Sequence, residues 1–477
     1  MRASSCRLML GLVLSMASSL ILEASAAAQR RMVLVGGGLQ DLTPIIYDGT
    51  TPRPPGTGPA PTGAAIHSAA IFARTVQLTG GAKNIGVLTT ASTADTAQAN
   101  GAYYVDALRY YGAGAGTAWI PVRINNSGKC AVRADDPALV AQINAMDGFF
   151  FGGGDQSRIL TCFFKGTGTT RTETPIMVAL RNKVLAGALM AGTSAGTAVQ
   201  SGVPMVTGGE SYYGLRYGVY TSLGTSTKAP TRDNADPSVT TTTYADRLAY
   251  DVAGGLGFFT HGVIDTHFNE RGRPGRIIRL AWNRVIDLAF GVDENTALIV
   301  ESAGTPSATM SVLGQHGVMI FDLKNASASV VSPGSTSPCS SDAGFKLCYV
   351  RAHYATEGDT FTPSTRTFAT TKPALVGSGG LATRPFPEDI FSSPDNSSPD
   401  GRRNPRELVR YAGSLLRSSE TRANQLTFEG SGVTRFKVCM EKRAAEGSAG
   451  YQSTVNPAVV GFRSLIIDLL PSTTACP

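Results

Sequence analysis

The chain contains no CxxC pair and no cysteine–histidine spacing of the zinc-binding kind, so the common structural metal sites are excluded. Histidine is scarce, with five in 477 residues, so chemistry that needs an imidazole has few places to reside. After the first two dozen residues no apolar run is long enough to cross a bilayer, which takes ~20 residues. There is no internal repeat. The 54 glycines follow no three-residue period, which excludes a collagen-like rod. Charge is sparse at 16%, and the net excess of +7 is no nucleic-acid signature, although it suits attraction to an anionic substrate. What is abundant is apolar surface, at 42% of residues. That is ample for a buried core and excludes wholesale disorder. At ~150 residues per domain the length permits two or three domains, or one large α/β domain with an appendage.

The N-terminus reads as a secretory signal over residues 1–26. Arg2 and Arg7 give a positive start, an apolar run spans Leu8 to Leu22, and Ala24-Ser25-Ala26 is a small-residue cleavage site. Cleavage removes two arginines and Glu23, taking the net charge from +7 to +6. The mature chain is then expected outside the cytoplasm, secreted or periplasmic, with no membrane attachment. Cys6 is also removed, leaving Cys130, Cys162, Cys339, Cys348, Cys439 and Cys476. An even count in an exported chain permits disulfides. Cys339 and Cys348, which enclose a short Ser/Gly-containing loop, are the expected pair.

From Arg31 the pattern is strand, glycine turn, helix, repeated. Met32–Val35 runs into Gly36-Gly37-Gly38, Ile66–Val76 reads as a helix, and Ile85–Leu88 as a second strand. Tyr104, Leu108 and Tyr111 share a helical face. Trp119–Val122 reads as a strand and Pro137–Met146 as a helix. Gly148–Phe151 and Leu185–Met190 read as buried strands, each followed by a glycine turn. Continuous apolar strands alternating with helices predict a mostly parallel sheet covered on both faces. In such a sheet the site lies beyond the carboxyl ends of the strands. The catalytic α/β domain is expected over 31–330, with 207–245 an inserted polar loop or hairpin. Residues 331–477 are rich in Ser, Pro, Thr and Gly and read as an extension of short strands and loops.

Gly192-Thr193-Ser194-Ala195-Gly196 matches the Gly-x-Ser-x-Gly elbow. There a sharp turn between strand and helix exposes the serine, and the next amide, here that of Ala195, is poised to hold an oxyanion. A serine hydroxyl needs a base. His267, in Asp265-Thr266-His267-Phe268 directly after the apolar run Gly262–Ile264, stands at a strand end on the same side as the elbow. Arg271, Arg273 and Arg276 follow, and arginine forks bind carboxylates in bidentate fashion. Asp293-Glu294, between two apolar runs, offers a carboxylate to orient His267, with either residue eligible. Gly152-Gly153-Gly154-Asp155-Gln156 ends another strand. Its amides, Gly154 in particular, are candidates for the second oxyanion donor, and Gln156 for a hydrogen bond to substrate.

In order along the chain, Phe150–Gln156, the Ser194 elbow, Asp265–Phe268 with its arginines, and Asp293–Ala297 resemble cyanophycinase, a serine peptidase of the dipeptidase E-like S51 family, in its extracellular form. The likeness covers roughly Arg31 to Leu323. It implies a flavodoxin-like or class I glutamine amidotransferase-like α/β core, commonly dimeric. It also implies hydrolysis of cyanophycin, a poly-aspartate chain with an arginine on each β-carboxyl, to β-aspartyl-arginine. By resemblance Ser194 is the nucleophile, His267 the base and Glu294 the acid. Gln156, Asp265, Thr266, Arg271, Arg273 and Arg276 correspond to the substrate-binding set, and no metal or cofactor is implied. Thr266 departs from the family, which usually has Gln there. The loop over 207–245 is longer than usual, and the tail after Ser332 lies outside the likeness.

Two other functions stay open on the residues alone. One is an exported aspartyl dipeptidase, or an esterase, using the same serine. The other is a non-catalytic protein whose arginines hold a polyanion.

Overall fold

A computed structural model describes residues 30–131, 135–222, 247–328, 345–382, 390–391, 406–427 and 435–477. The signal-sequence reading over 1–26, most of the insertion and Cys339 lie outside these residues.

The fold is α/β. Its first sheet is built around the strand Arg31–Val35, whose four buried residues alternate between two faces. Met32 and Leu34 join one core with Phe149, Phe151, Ile176 and Leu180, whereas Val33 and Val35 join another with Phe72, Val76, Leu108 and Phe150. Helices Ala65–Thr79 and Ala97–Tyr110 pack on the second face, Pro137–Asn144 and Pro175–Leu185 on the first. That double cover is why Gly148–Phe151 and Leu189–Thr193 are buried at every position. Arg31–Val35 runs parallel to Leu189–Thr193, which is followed outward by Gly148–Phe151, Ile85–Leu88 and Ala118–Trp119, all parallel. On its other side the sheet continues antiparallel through Thr296–Glu301 and Thr309–Gly314.

Two local expectations change. The run Leu185–Met190 is not one strand. Thr174 caps a helix at the backbone N–H of Met177, Pro175 occupies its first turn, and it continues to Leu185. Ala186 and Gly187 then turn the chain, and the strand is Leu189–Thr193. The strand expected over Trp119–Val122 is only Ala118–Trp119, because Pro121 has no N–H to continue the ladder.

The second sheet mixes the two expected regions. Val263–Asp265 lies parallel to Leu288–Val292, which pairs antiparallel with Gly317–Asp322. That strand in turn pairs with Leu347–Thr356, and Leu347–Thr356 with Val460–Pro471. The first sheet likewise gains Thr360–Thr362 on Thr309–Gly314. A boundary at 330/331 therefore cuts through both sheets, and the tail is part of the same core. Nor are all its strands short, since Leu347–Thr356 has 10 residues and Val460–Pro471 has 12. The described tail also contains a helix, Glu407–Arg417.

Of the insertion, residues 207–222 are described. They include the end of the strand Met205–Gly208, the helix Ser211–Tyr217 and the strand Tyr220–Ser222. Between described residues two disulfides are formed, Cys130–Cys162 and Cys439–Cys476. No described helix is long and apolar enough to cross a membrane.

Candidate active site

Leu189–Thr193 delivers Ser194 to the carboxyl end of the first sheet, and the helix Ala195–Ala198 starts at once. Ser194 takes φ 54°, ψ −119°, a strained backbone for a residue with a side chain. The flanking glycines permit the turn. A Cβ on Gly192 would lie 2.2 Å from the Gly196 carbonyl oxygen, and one on Gly196 would lie 2.1 Å from that of Phe151.

The neighbouring strand of the second sheet, Val263–Asp265, brings His267 to the same place. Its backbone N–H donates to the Gly36 carbonyl at 2.7 Å. Ser194 Oγ and His267 Nε2 are 2.6 Å apart, and His267 Nδ1 and Glu294 Oε1 are also 2.6 Å apart. With the ring proton on Nδ1, the imidazole donates to Glu294, and Nε2 is left to accept from the serine hydroxyl. Glu294, not Asp293, is the carboxylate on the ring. Asp293 is fully buried and turned the other way, accepting from the Tyr354 hydroxyl at 2.6 Å and from Asn269 Nδ2 at 2.8 Å.

Burial pushes His267 below the usual imidazole range. The hydrogen bond to Glu294 opposes this, Arg273 and Arg271 reinforce it, and the net shift is downward. Glu294 is also lowered, first by its hydrogen bond with His267, against burial and with help from Arg271 and Arg273. At neutral pH the pair is thus an unprotonated base beside an ionised acid.

Gly153 lies against the serine, where a Cβ would be 3.3 Å from Ser194 Cβ. Gly154 has φ +137°, and a Cβ there would lie 2.1 Å from the Ala91 carbonyl oxygen. The amide of Ala195 opens the helix that starts at the serine and so has no acceptor within that helix. Gln156 Nε2 donates to the Val206 carbonyl at 3.1 Å.

The expected arginine clamp is arranged differently from its reading in sequence. Asp265 is buried, and the Arg276 fork grips it with Nε at 2.7 Å and Nη2 at 2.8 Å, while Nη1 donates to the Gly209 carbonyl. Arg273 Nη1 donates to the same carboxylate at 3.1 Å and to the Thr266 carbonyl at 2.6 Å. Burial would raise Asp265, but Arg276 and Arg273 outweigh it and hold it below the usual range. Asp265 and Arg276 therefore satisfy one another within the protein, because a bidentate fork matches a carboxylate whether that group belongs to substrate or to the chain. Thr266 is buried, and its backbone N–H donates to Asp265. Arg271 lines a cavity of about 490 Å³ beside Glu294, with Gln40, Gln315, His316, Arg406 and Arg410.

Three contributors were missed in sequence. Gly37 and Gly38 pack on the triad itself: a Cβ on Gly37 would sit 2.2 Å from His267 Cε1, and one on Gly38 would sit 2.7 Å from Glu294 Oε2. The glycine run after the first strand was the signal, although as a turn it has many meanings. The third is Glu270, whose Oε2 accepts from the Glu294 backbone N–H at 3.1 Å. It carried no signal beyond its closeness to His267. Among the described residues no group of three or more His, Cys, Asp or Glu is arranged to hold a metal ion.

No family model matches the chain. It is 29% identical over 195 residues to a cyanophycinase of Synechococcus elongatus, covering 41% of this chain and 47% of that protein. To a cyanophycinase of Nostoc sp. it is 31% identical over 191 residues, covering 40% and 50%. The chain thus spans about half the length of the curated relatives it matches, and it is cyanophycinase-like over that stretch. A crystal structure of a peptidase from an acI-B1 actinobacterium covers 70% of this chain and 96% of its own, at 16% identity and a TM-score of 0.39.

Proposed function

We propose that the protein is an exported serine-type hydrolase that degrades cyanophycin, multi-L-arginyl-poly-L-aspartate, to β-aspartyl-arginine. The observation that carries the reading is the hydrogen-bonded line from Ser194 through His267 to Glu294, with both contacts at 2.6 Å. The likeness to cyanophycinases supplies the substrate. Two disulfides are in keeping with an oxidising compartment. A homodimer is part of the same proposal.

The product keeps the bond between arginine and the β-carboxyl, so the bond broken is a backbone amide of the poly-aspartate chain. Ser194 Oγ attacks its carbonyl carbon while the hydroxyl proton passes to His267 Nε2. Glu294 stabilises the imidazolium so formed. The amides of Ala195 and of the Gly153-Gly154 turn receive the oxyanion, each such donor worth about 2.7–4 kcal/mol of barrier. The imidazolium gives its proton to the leaving amine, and an acyl ester remains on Ser194. Water attacks the ester, its proton passes to Nε2, and the serine is regenerated.

Gln156, Thr266, Arg271 and Arg273 are assigned to the substrate side of this site. Asp265 and Arg276 fix the loop that carries Thr266, Arg271 and Arg273. Incubation of purified protein with cyanophycin granules, followed by mass analysis of the soluble fraction, tests the reading. Release of β-aspartyl-arginine is expected. Intact granules alongside cleavage of α-aspartyl dipeptides or short-chain esters would assign the same serine to the rival substrates.

A further inference from the structure

The pocket behind Glu294 buries two carboxyl groups that the triad does not use, and burial pushes both above the usual carboxylate range, Glu270 further through its neighbour Asp293. Asp293 is fully buried and accepts from Tyr354 and Asn269. Glu270 is also buried, and one of its oxygens accepts from the Glu294 backbone N–H. Two carboxylates withdrawn from water and set side by side repel each other and need a countercharge.

That countercharge comes from the tail. Arg406, in a left-handed conformation with φ 67°, stands at the head of the helix Glu407–Arg417. Its Nε lies 3.7 Å from Glu270 Oε1 and 3.9 Å from Asp293 Oδ2. Nη2 donates to the Tyr354 hydroxyl at 3.0 Å, and Nη1 meets His316 Nδ1. The Arg406 backbone N–H donates to the Asn269 carbonyl at 2.8 Å, which ties the helix start to the His267 loop. Burial disfavours charge on Arg406, but Tyr354, Asp293 and Glu270 outweigh it and hold the guanidinium charged.

We propose that Arg406 is a positioning residue for the triad: it neutralises the buried Glu270–Asp293 pair and so keeps Glu270 in place on the Glu294 backbone, which makes the C-terminal segment part of the active site. This rests on the serine-hydrolase reading. It extends that reading to a region that the sequence likeness leaves unassigned. Arg406 touches neither Ser194 nor the His267 ring, so its effect passes through Glu270 and the backbone of Glu294.

The test is the rate at which a serine-directed fluorophosphonate labels Ser194 in the full-length protein, measured with thermal unfolding for wild type, R406M, E270Q and R406M/E270Q. The probe reports on the triad without reference to the polymer. R406M is expected to label at least about tenfold more slowly than wild type, whereas R406M/E270Q returns to within about threefold of E270Q. With Gln at 270 the like-charge repulsion is gone, Asp293 keeps its hydrogen bonds from Tyr354 and Asn269, and the amide oxygen still accepts from the Glu294 N–H, so a purely structural arginine would not be rescued by it. If R406M fails to fold but the double variant folds and labels like E270Q, the proposal holds. Wild-type labelling by folded R406M overturns it. So does a double variant that is as slow as R406M, or one that is itself unfolded. Absence of labelling in wild type would instead remove the triad reading, and this proposal with it.

Discussion

Gly37 and His267 are in contact so close that no other residue fits the glycine's place: a Cβ there would lie 2.2 Å from Cε1 of the imidazole and 2.4 Å from Nε2. The first strand of the fold thus ends by seating the ring proposed as the general base. Gly37 also has φ +98°, which costs an L-residue about 1–2 kcal/mol. Gly37→Ala is expected to displace the ring and lower kcat by roughly 10²-fold, the scale of a misplacement near 1 Å. The melting temperature should fall by only a few degrees. Steady-state kinetics beside a melting curve checks this. An unchanged kcat would show that the loop can retreat without consequence.

Ser194→Ala and His267→Ala should each cost about 10⁴–10⁶-fold in kcat, and the double variant should be no slower than either single one. Glu294→Gln should cost about 10⁴-fold, since a neutral amide cannot stabilise the imidazolium and, with its NH2 turned to Nδ1, holds the ring in the wrong tautomer. Asp293→Asn provides the contrast. Its carboxylate faces Tyr354 and Asn269, so it should lower stability by about 1–3 kcal/mol and affect rate far less than Glu294→Gln does. Activity assays paired with denaturant titrations separate the two acids.

The pH profile has a fixed sign. His267 must be unprotonated to accept from Ser194. Its pKa is lowered by burial, with Arg273 and Arg271 adding to the effect against Glu294. Activity should therefore persist as pH is lowered through about 6.5, the usual imidazole value, and fall only below it. Stability moves the same way: the unfolded chain binds the proton more readily, so this residue's contribution is lost as pH falls below about 6.5. An acid limb in kcat/KM centred above 6.5 would contradict the assignment.

Cys130–Cys162 and Cys439–Cys476 close loops of 32 and 37 residues. Chain-entropy arithmetic gives each about 3–4 kcal/mol. Replacing either pair by serine should lower the unfolding free energy by that order and the melting temperature by several degrees. A difference under about 1 kcal/mol would mean the crosslink constrains little of the unfolded chain.

Much of this architecture was legible because the controlling signals are local. Gly148–Phe151 reads as a buried strand from four residues, and the Ser194 elbow from five. His267 was recognisable by its place after an apolar strand. What escaped depended on distant partners. Leu185 is apolar in either element, and only the Thr174 cap and Pro175 eleven or fewer residues upstream assign it to a helix. Arg276 reads as a free carboxylate clamp until Asp265 folds against it. Asp293 and Glu294 are adjacent and alike, and burial alone decides which one turns inward. Arg406 sits among other arginines in a Ser/Pro-rich stretch, and its partners Glu270 and Asp293 lie more than a hundred positions earlier. The tail's composition hid two long strands, because their apolar runs are outnumbered by the loops around them.

The proposed reaction passes through a covalent intermediate on the Ser194 hydroxyl. Mixing the enzyme with cyanophycin, quenching in acid and mapping the digested protein by mass spectrometry tests it directly. An aspartyl-linked adduct on the peptide containing Ser194, absent in Ser194→Ala together with all product release, is the expected result. Hydrolysis by Ser194→Ala at the wild-type rate, with no adduct on that peptide in either protein, would contradict it.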